Sequence, residues 1–234
     1  MKFPHWPSPK GYRNIKFGLD RVYKLLERLG NPHYLLPPTI HIAGTNGKGS
    51  NIAYLDAIFT DAGYKVHKYI SPHLVEFNER ISLAGKQIDD SYLTKILNEC
   101  QKAAEIEPKI EVTFFEGITV AAFLAFSKIK ADILLLEVGM GGRLDATNVI
   151  LDPIATIITP ISNDHQEFLG NSLEKIAFEK SGIIKDKIPV IIGKQEESAT
   201  KIISYIAQKK KCPLYILGKD WNVSEEDNNI MYSD

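Results

Sequence analysis

Hydrophobic residues recur along this chain in two rhythms. In 19–29 (LDRVYKLLERL), Leu19, Val22, Leu25, Leu26 and Leu29 repeat at helical spacing, and Gly30, Asn31 and Pro32 end the run. Thr39–Ala43 (TIHIA) is a short apolar run that reads as a buried strand. Residues 51–62 (NIAYLDAIFTDA) put Ile52, Leu55, Ile58, Phe59 and Ala62 on one face of a helix. A glycine-rich stretch, 44–50, therefore joins a strand to a helix.

The alternation continues to residue 217. A strand is predicted at 65–70, a helix at about 90–104, and a second helix opened by Thr113, whose capping-box partner is Glu116. Apolar strands follow at 132–138 and 153–159, then a helix near 172–184, a strand at 188–192, a helix near 197–210 and a last strand at 213–217. Strands that are apolar on both faces and spaced by helices predict an α/β fold, a mostly parallel sheet flanked by helices. Residues 218–234 turn polar and acidic with no defensible period. The expected organisation is one domain over 1–217, including the N-terminal helix, and a polar tail or the start of a further domain over 218–234.

Composition narrows the function. With 234 residues and 44% hydrophobic content the chain can build a sizeable core. Its 28 basic and 29 acidic residues leave a net charge of −1, so no global field draws it to nucleic acid or to an anionic membrane. Recognition of phosphate has to be local. Cys100 and Cys212 form no CxxC, and the histidines at 5, 33, 41, 67, 73 and 165 lack zinc-ligand spacing. Pro4, Pro7 and Pro9 interrupt the start, and no run approaches the ~20 apolar residues that span a bilayer. A cytoplasmic protein is the expectation.

The stretch HIAGTNGKGS (41–50) carries the clearest chemistry. A glycine-rich turn between strand and helix directs several backbone N–H groups and the positive end of a helix dipole at one point, which suits a phosphate. Gly44, Thr45, Asn46, Gly47, Lys48, Gly49 and Ser50 are the candidate nucleotide-binding residues. Lys48 would reach the β and γ phosphates, and the Ser50 hydroxyl would meet Mg²⁺. An ordinary glycine-rich turn is the competing reading, and Gly49, inserted between Lys48 and Ser50, departs from the Walker A spacing.

That departure is normal in one family. The stretch resembles the signature of the folylpolyglutamate synthase and dihydrofolate synthase family, a branch of the Mur-ligase superfamily. Four further stretches match it in order: LGNP (29–32), SPHLVEFNERI (71–81), EVGMGGRLDATN (137–148), and DH with EKSGI (164–165 and 179–183). The resemblance runs from about residue 11 to 217 and implies a P-loop NTPase-like Mur-ligase central domain.

Each matched residue also has a reading of its own. Glu137 ends an apolar strand, where open α/β sheets place ligand-binding groups, and a carboxylate there can hold Mg²⁺; a solvated strand end is the alternative. Ser71, before Pro72, is by itself a turn residue; the resemblance makes it a second contact to the ion shared with Ser50 and Glu137. His165, otherwise a surface histidine, becomes a ligand of a second Mg²⁺. Lys180, otherwise an exposed ion-pair partner of Glu179, becomes a lysine carbamoylated by CO₂. The resemblance sets Thr113, Phe115, Glu116, Asp145 and Asn148 near the folate and the nucleotide. Phe115 would stack on a flat ring and Asp145 would bond pterin nitrogens. For Thr113 and Glu116 the simple capping box stays open.

The implied reaction is an ATP-dependent amide ligation. The acceptor, a (tetrahydro)folate or dihydropteroate, becomes an acyl phosphate that L-glutamate attacks, with ATP and two Mg²⁺ required and Lys48, His165 and Lys180 as the catalytic candidates. Members of the family continue into a second, smaller α/β domain. A split enzyme with a separately encoded C-terminal domain, and a catalytically impaired ATP-binding remnant, are therefore also expected readings. A P-loop GTPase is disfavoured because no AsnLysXxxAsp motif occurs.

Overall fold

A computed structural model describes residues 4–7, 18–163, 170, 172–226 and 229–234. The first helix, α1 (Asp20–Arg28), buries Val22, Leu25 and Leu26. It ends where Gly30 and Asn31 take positive φ, Asn31 N–H bonding back to the Leu26 carbonyl, before Pro32 forbids continuation. Strand β1 (Thr39–Ala43) is buried along its whole length and feeds α2 (Lys48–Asp61). This helix starts three residues earlier than its periodicity predicts, because the apolar rhythm begins only at Ile52. Ile52, Leu55 and Phe59 meet the sheet, whereas Ile58, expected on the same face, is exposed.

The remaining elements are β2 (Val66–Tyr69), β3 (Ile81–Leu83), β4 (Lys86–Gln87), α3 (Asp90–Glu105), α4 (Phe114–Lys128), β5 (Ile133–Glu137), β6 (Ala155–Ile158), α5 (Leu173–Ser181), β7 (Val190–Ile192), α6 (Glu197–Lys209), β8 (Leu214–Ile216), β9 (Asn222–Glu226) and β10 (Asn229–Ser233). The first eight strands form one sheet in the order β4-β3-β2-β5-β1-β6-β7-β8. From β2 to β8 in that order every pairing is parallel, as the apolar strands predict, and β3 and β4 add an antiparallel edge. The edge hairpin turns at Ala84 and Gly85, both at positive φ. A second antiparallel pair, β9 with β10, occupies most of 218–234, where the sequence predicts no element. β9 (NVSEE) carries a single apolar residue and β10 (NIMYS) three in succession, so neither strand shows a two-residue period.

Register assigns the two faces. His41, Leu136, Thr156, Val190 and Leu214 are Cα partners across β1, β5, β6, β7 and β8 and share one face. There α1, α3 and α4 build the main core, with Phe77, Phe123 and Phe126 fully buried, and α5 and α6 build a second apolar cluster. On the other face α2 covers Ile40, Ile42, Val66 and Leu135. From β1 the chain passes to β2 on one side, while β6 lies on the other. The carboxyl end of β1 is thus the crevice where open α/β sheets bind ligands. No helix among the described residues is long and apolar enough to cross a membrane.

Candidate active site

The crevice is lined first by the turn 44–47. Gly44 has φ +147°, and a Cβ there would overlap the Thr159 hydroxyl and come within 2.9 Å of the Thr159 carbonyl oxygen, so the turn lies directly on the end of β6. Thr45 and Asn46 tie it down: their backbone N–H groups donate to Pro160 O at 3.0 and 3.2 Å, and Thr45 Oγ1 and Asn46 Nδ2 bond Ser162. These two residues anchor the turn. The N–H groups aimed outward come later. Gly47 is the N-cap of α2, and the first intrahelical bond is Asn51 N–H to Gly47 O, so the N–H groups of Lys48, Gly49 and Ser50 have no helical partner. A Cβ on Gly49 would meet nothing within 4 Å. The fold does not require that glycine, and the space beside it is open.

Charge converges on the same point. Lys48 Nζ donates to the carbonyls of Gly44 (3.1 Å) and Thr45 (3.3 Å) and lies 4.0 Å from Glu137 Oε1. Lys180 Nζ donates to the same Gly44 carbonyl at 2.8 Å. It is 3% exposed, so it is not the surface partner of Glu179 that its sequence neighbourhood predicts; Glu179 instead binds Arg143, at 2.9 Å. Two ammonium groups and a helix N-terminus face one crevice, an arrangement that favours a polyanion.

Glu137, 4% exposed at the end of β5, is the facing carboxylate. Burial pushes its carboxyl above the usual range, while the Ser71 N–H, at 3.0 Å from Oε2, and the charges of Lys48 and Arg80 pull it back. Ser71 is thus brought to Glu137 through its backbone. Arg80 belongs to the matched stretch 71–81, yet its side chain escapes sequence reasoning: Nε donates to His73 Nδ1 at 2.9 Å, and its guanidinium lies over Phe77 and acts on Glu137. Among the described residues no cluster of three or more His, Cys, Asp or Glu could cage a metal. A lone carboxylate such as Glu137 is the kind of donor Mg²⁺ takes, since that ion keeps waters and phosphate oxygens as its other ligands. His165, with Asp164, lies outside the described residues.

The acceptor candidates lie at the start of α4 (Thr113, Phe115, Glu116) and in the 139–148 loop (Asp145, Asn148). Phe115 is half-buried, and its ring covers the Gly139 backbone so closely that a Cβ there would overlap it. Thr113 and Glu116 form the capping box of α4: Glu116 N–H donates to Thr113 Oγ1, and Thr113 N–H to Glu116 Oε2 at 2.7 Å. Arg21 holds both Glu116 oxygens, at 3.1 and 2.6 Å. Asp145 points inward, accepting from Met140 N–H, Thr147 N–H and Thr147 Oγ1. Asn148 Nδ2 bridges the carbonyls of Arg143 and Gly182, fastening the loop to the end of α5. The Phe115 ring packs between the Gly139 backbone and Tyr69, and the hydrogen bonds of the other four order the start of α4 and the loop.

A parallel sheet with a glycine-rich strand-to-helix turn, a lysine over it and a carboxylate on the adjacent strand is the arrangement of a P-loop. The chain matches the Mur ligase middle domain over residues 42–234 and belongs to that family. Its relatives are more particular. It is 40% identical over 207 residues to the dihydrofolate synthase/folylpolyglutamate synthase of Bacillus subtilis (strain 168), covering 87% of this chain and 48% of that one. It is 39% identical over 225 residues to the enzyme of the same name from Escherichia coli (strain K12), covering 95% and 51%. The solved structure "E.coli FolC in complex with DHPP and ADP" superposes with a TM-score of 0.87 at 38% identity, over 96% of this chain and 52% of that one. The chain spans about half the length of the curated relatives it matches.

Proposed function

We propose that this chain is the ATP-binding part of an amide ligase that adds L-glutamate to a (tetrahydro)folate or dihydropteroate carboxylate. The observation that carries the reading is the joint placement of Lys48, Lys180 and Glu137 at the α2 N-terminus. The relatives are named dihydrofolate synthase/folylpolyglutamate synthase, and structural neighbours bind ADP or AMPPCP, which supports ATP as the nucleotide. In this reading the N–H groups of residues 48–50 and the Lys48 ammonium hold the β and γ phosphates. Ser50, Ser71 and Glu137 would hold one Mg²⁺, and His165 with a carbamoylated Lys180 a second. Bound there, the ions neutralise charge on the γ-phosphoryl group as it transfers. Carbamoylation joins the Lys180 Nζ to the carbon of CO₂ with loss of two protons from the ammonium, one to free the amine and one as the N–C bond forms, replacing a cation by anionic oxygens; a mass increase confined to Lys180 in CO₂-equilibrated protein checks it.

The acceptor lies against Phe115 and the 139–148 loop, with its carboxylate directed at the γ-phosphate. A carboxylate oxygen attacks the phosphorus and ADP leaves, giving the acyl phosphate. The glutamate amine then attacks the acyl carbon, phosphate departs, and the amine loses a proton as the amide forms. The relatives' additional length supports a second reading, in which a separately encoded C-terminal domain completes the nucleotide and glutamate sites. The test is ligation of labelled glutamate to dihydropteroate and to reduced folate with ATP and Mg²⁺, by this chain alone and together with the remaining length supplied as a second polypeptide. Product from the chain alone supports the short enzyme, and product only from the pair supports the split one. ATP binding without product in either mixture identifies the impaired remnant.

A further inference from the structure

His41 is a buried ionisable group that the reaction above does not use. It lies in the middle of β1, fully buried, three residues before Gly44, and shares a face with Leu136 and Thr156. That position falls between the two apolar clusters, one under α1, α3 and α4 and the other under α5 and α6. An imidazole there costs desolvation and fills no apolar gap that leucine would not, so its polar contacts explain it.

Those contacts run in one direction. Asp145 receives N–H groups from Met140 (2.8 Å) and Thr147 (3.0 Å), another from Gly139, and the Thr147 hydroxyl at 2.5 Å. Burial pushes the Asp145 carboxyl above its usual range while these same donors pull it back; each of the hydrogen bonds runs toward its oxygens, so the geometry casts the group as an acceptor. The Thr147 hydrogen is therefore spent on Asp145, and the hydroxyl lone pair, 2.9 Å from His41 Nε2, accepts from the ring. This fixes the Nε2–H tautomer. Among the described residues Nδ1 has no hydrogen-bond partner. Burial, aided by the charge of Lys185, holds the ring's pKa down to about 3, so it stays neutral at physiological pH.

The chain of donors starts in the sheet and ends on a carboxylate that gathers both ends of the 139–147 turn. We propose that His41 is a positioning residue for the acceptor site, its Nε2–H orienting the Thr147 hydroxyl onto Asp145 so that the 139–147 turn is held in one conformation beneath the acceptor. The assignment to an acceptor rests on the ligase reading. The positioning of the turn does not.

The test uses His41→Leu and Thr147→Val, which remove the donor and the relay, beside His41→Gln and Thr147→Ser, which keep an N–H and a hydroxyl within reach. Amide hydrogen exchange at Met140 and Thr147 reports the turn, and Ala43 and Ile52 report the surrounding strand and helix. His41→Leu and Thr147→Val are expected to speed exchange at Met140 and Thr147 by roughly five- to tenfold, the loss of about one net hydrogen bond, with Ala43 and Ile52 unchanged. The Gln and Ser variants should restore most of the protection. The double variant His41→Leu/Thr147→Val should be no worse than either single change. Binding of dihydropteroate should weaken by a similar factor while that of AMPPCP holds. Exchange that rises equally at all four amides, stays at the wild-type rate, or is not rescued by the Gln and Ser variants overturns the proposal. Wild-type chain that binds AMPPCP but not dihydropteroate would count against the acceptor reading, and the exchange result would still decide the positioning of the turn.

Discussion

Replacing Gly44 or Gly49 by alanine separates what the fold needs from what a ligand needs. At Gly44 the new Cβ overlaps the Thr159 side chain, sits 2.9 Å from a backbone oxygen that cannot swing away, and forces alanine to φ +147°. Backbone strain of about 1–3 kcal/mol and overpacking of a further ~1–3 kcal/mol put the loss of stability at roughly 2–6 kcal/mol. For a domain with a total stability of about 5–15 kcal/mol that is a large share. At Gly49 the added methyl meets nothing within 4 Å and the backbone is already helical. Folding should be unchanged, or favoured by up to about 1 kcal/mol of helix propensity. The same methyl stands among the outward N–H groups of residues 48–50. Losing one charge-assisted bond of about 1.5–3 kcal/mol weakens a phosphate ligand by roughly tenfold to a hundredfold. Urea unfolding of the free protein and calorimetric titration with AMPPCP and Mg²⁺ give the two numbers. Equal destabilisation by both changes, or full affinity in Gly49→Ala, would refute the reasoning.

Further outcomes follow from the same geometry. Glu137→Gln removes a carboxylate whose pKa is raised by burial, a shift that costs native stability above the ordinary carboxylate range, so at neutral pH the free variant should melt higher than wild type while losing Mg²⁺-dependent nucleotide binding. Arg21→Met leaves Glu116 buried without its cation and should cost about 1–3 kcal/mol in urea unfolding. His41 binds its proton far more weakly in the native than in the unfolded state. Stability should therefore fall as pH drops from about 6.5 towards 3, by about 1.4 kcal/mol per unit from this residue, and His41→Leu should flatten that part of the profile. A profile unchanged by the substitution would contradict the neutral-ring assignment.

The parallel sheet was legible because β1, β5 and β6 are apolar on both faces and separated by amphipathic or capped helices. The capping box of α4 was legible as a local pattern, and residues 113–116 adopt it. The strand-to-helix setting of 44–50 likewise depends on neighbours in sequence. What periodicity missed depends on distant partners. Residues 48–50 became helical because the turn and strand ends fix them, not because they carry apolar rhythm. Lys180 looked like a surface residue beside Glu179, and only the packing of α5 against the turn shows its Nζ on Gly44 O. The bonds by which Thr45 and Asn46 tie the turn to Pro160 and Ser162, more than a hundred residues away, leave no trace in the local sequence. Asp145 read as an outward hydrogen-bonding group, and the donors that turn it inward come from its own loop. The 222–233 hairpin was missed because its strands, NVSEE and NIMYS, carry no two-residue alternation and pair with each other rather than with the main sheet.

The central claim is a phosphate site at the start of α2 that depends on Lys48 and on a metal held by Glu137. Calorimetric titration of AMPPCP into this chain, with and without Mg²⁺, tests it most directly, beside Lys48→Ala and Glu137→Gln. The account predicts saturable binding that needs Mg²⁺, weakens by roughly a hundredfold in Lys48→Ala, and loses its Mg²⁺ dependence in Glu137→Gln. Binding that is indifferent to Mg²⁺ and to Lys48, or no binding to the folded wild-type chain, would contradict it.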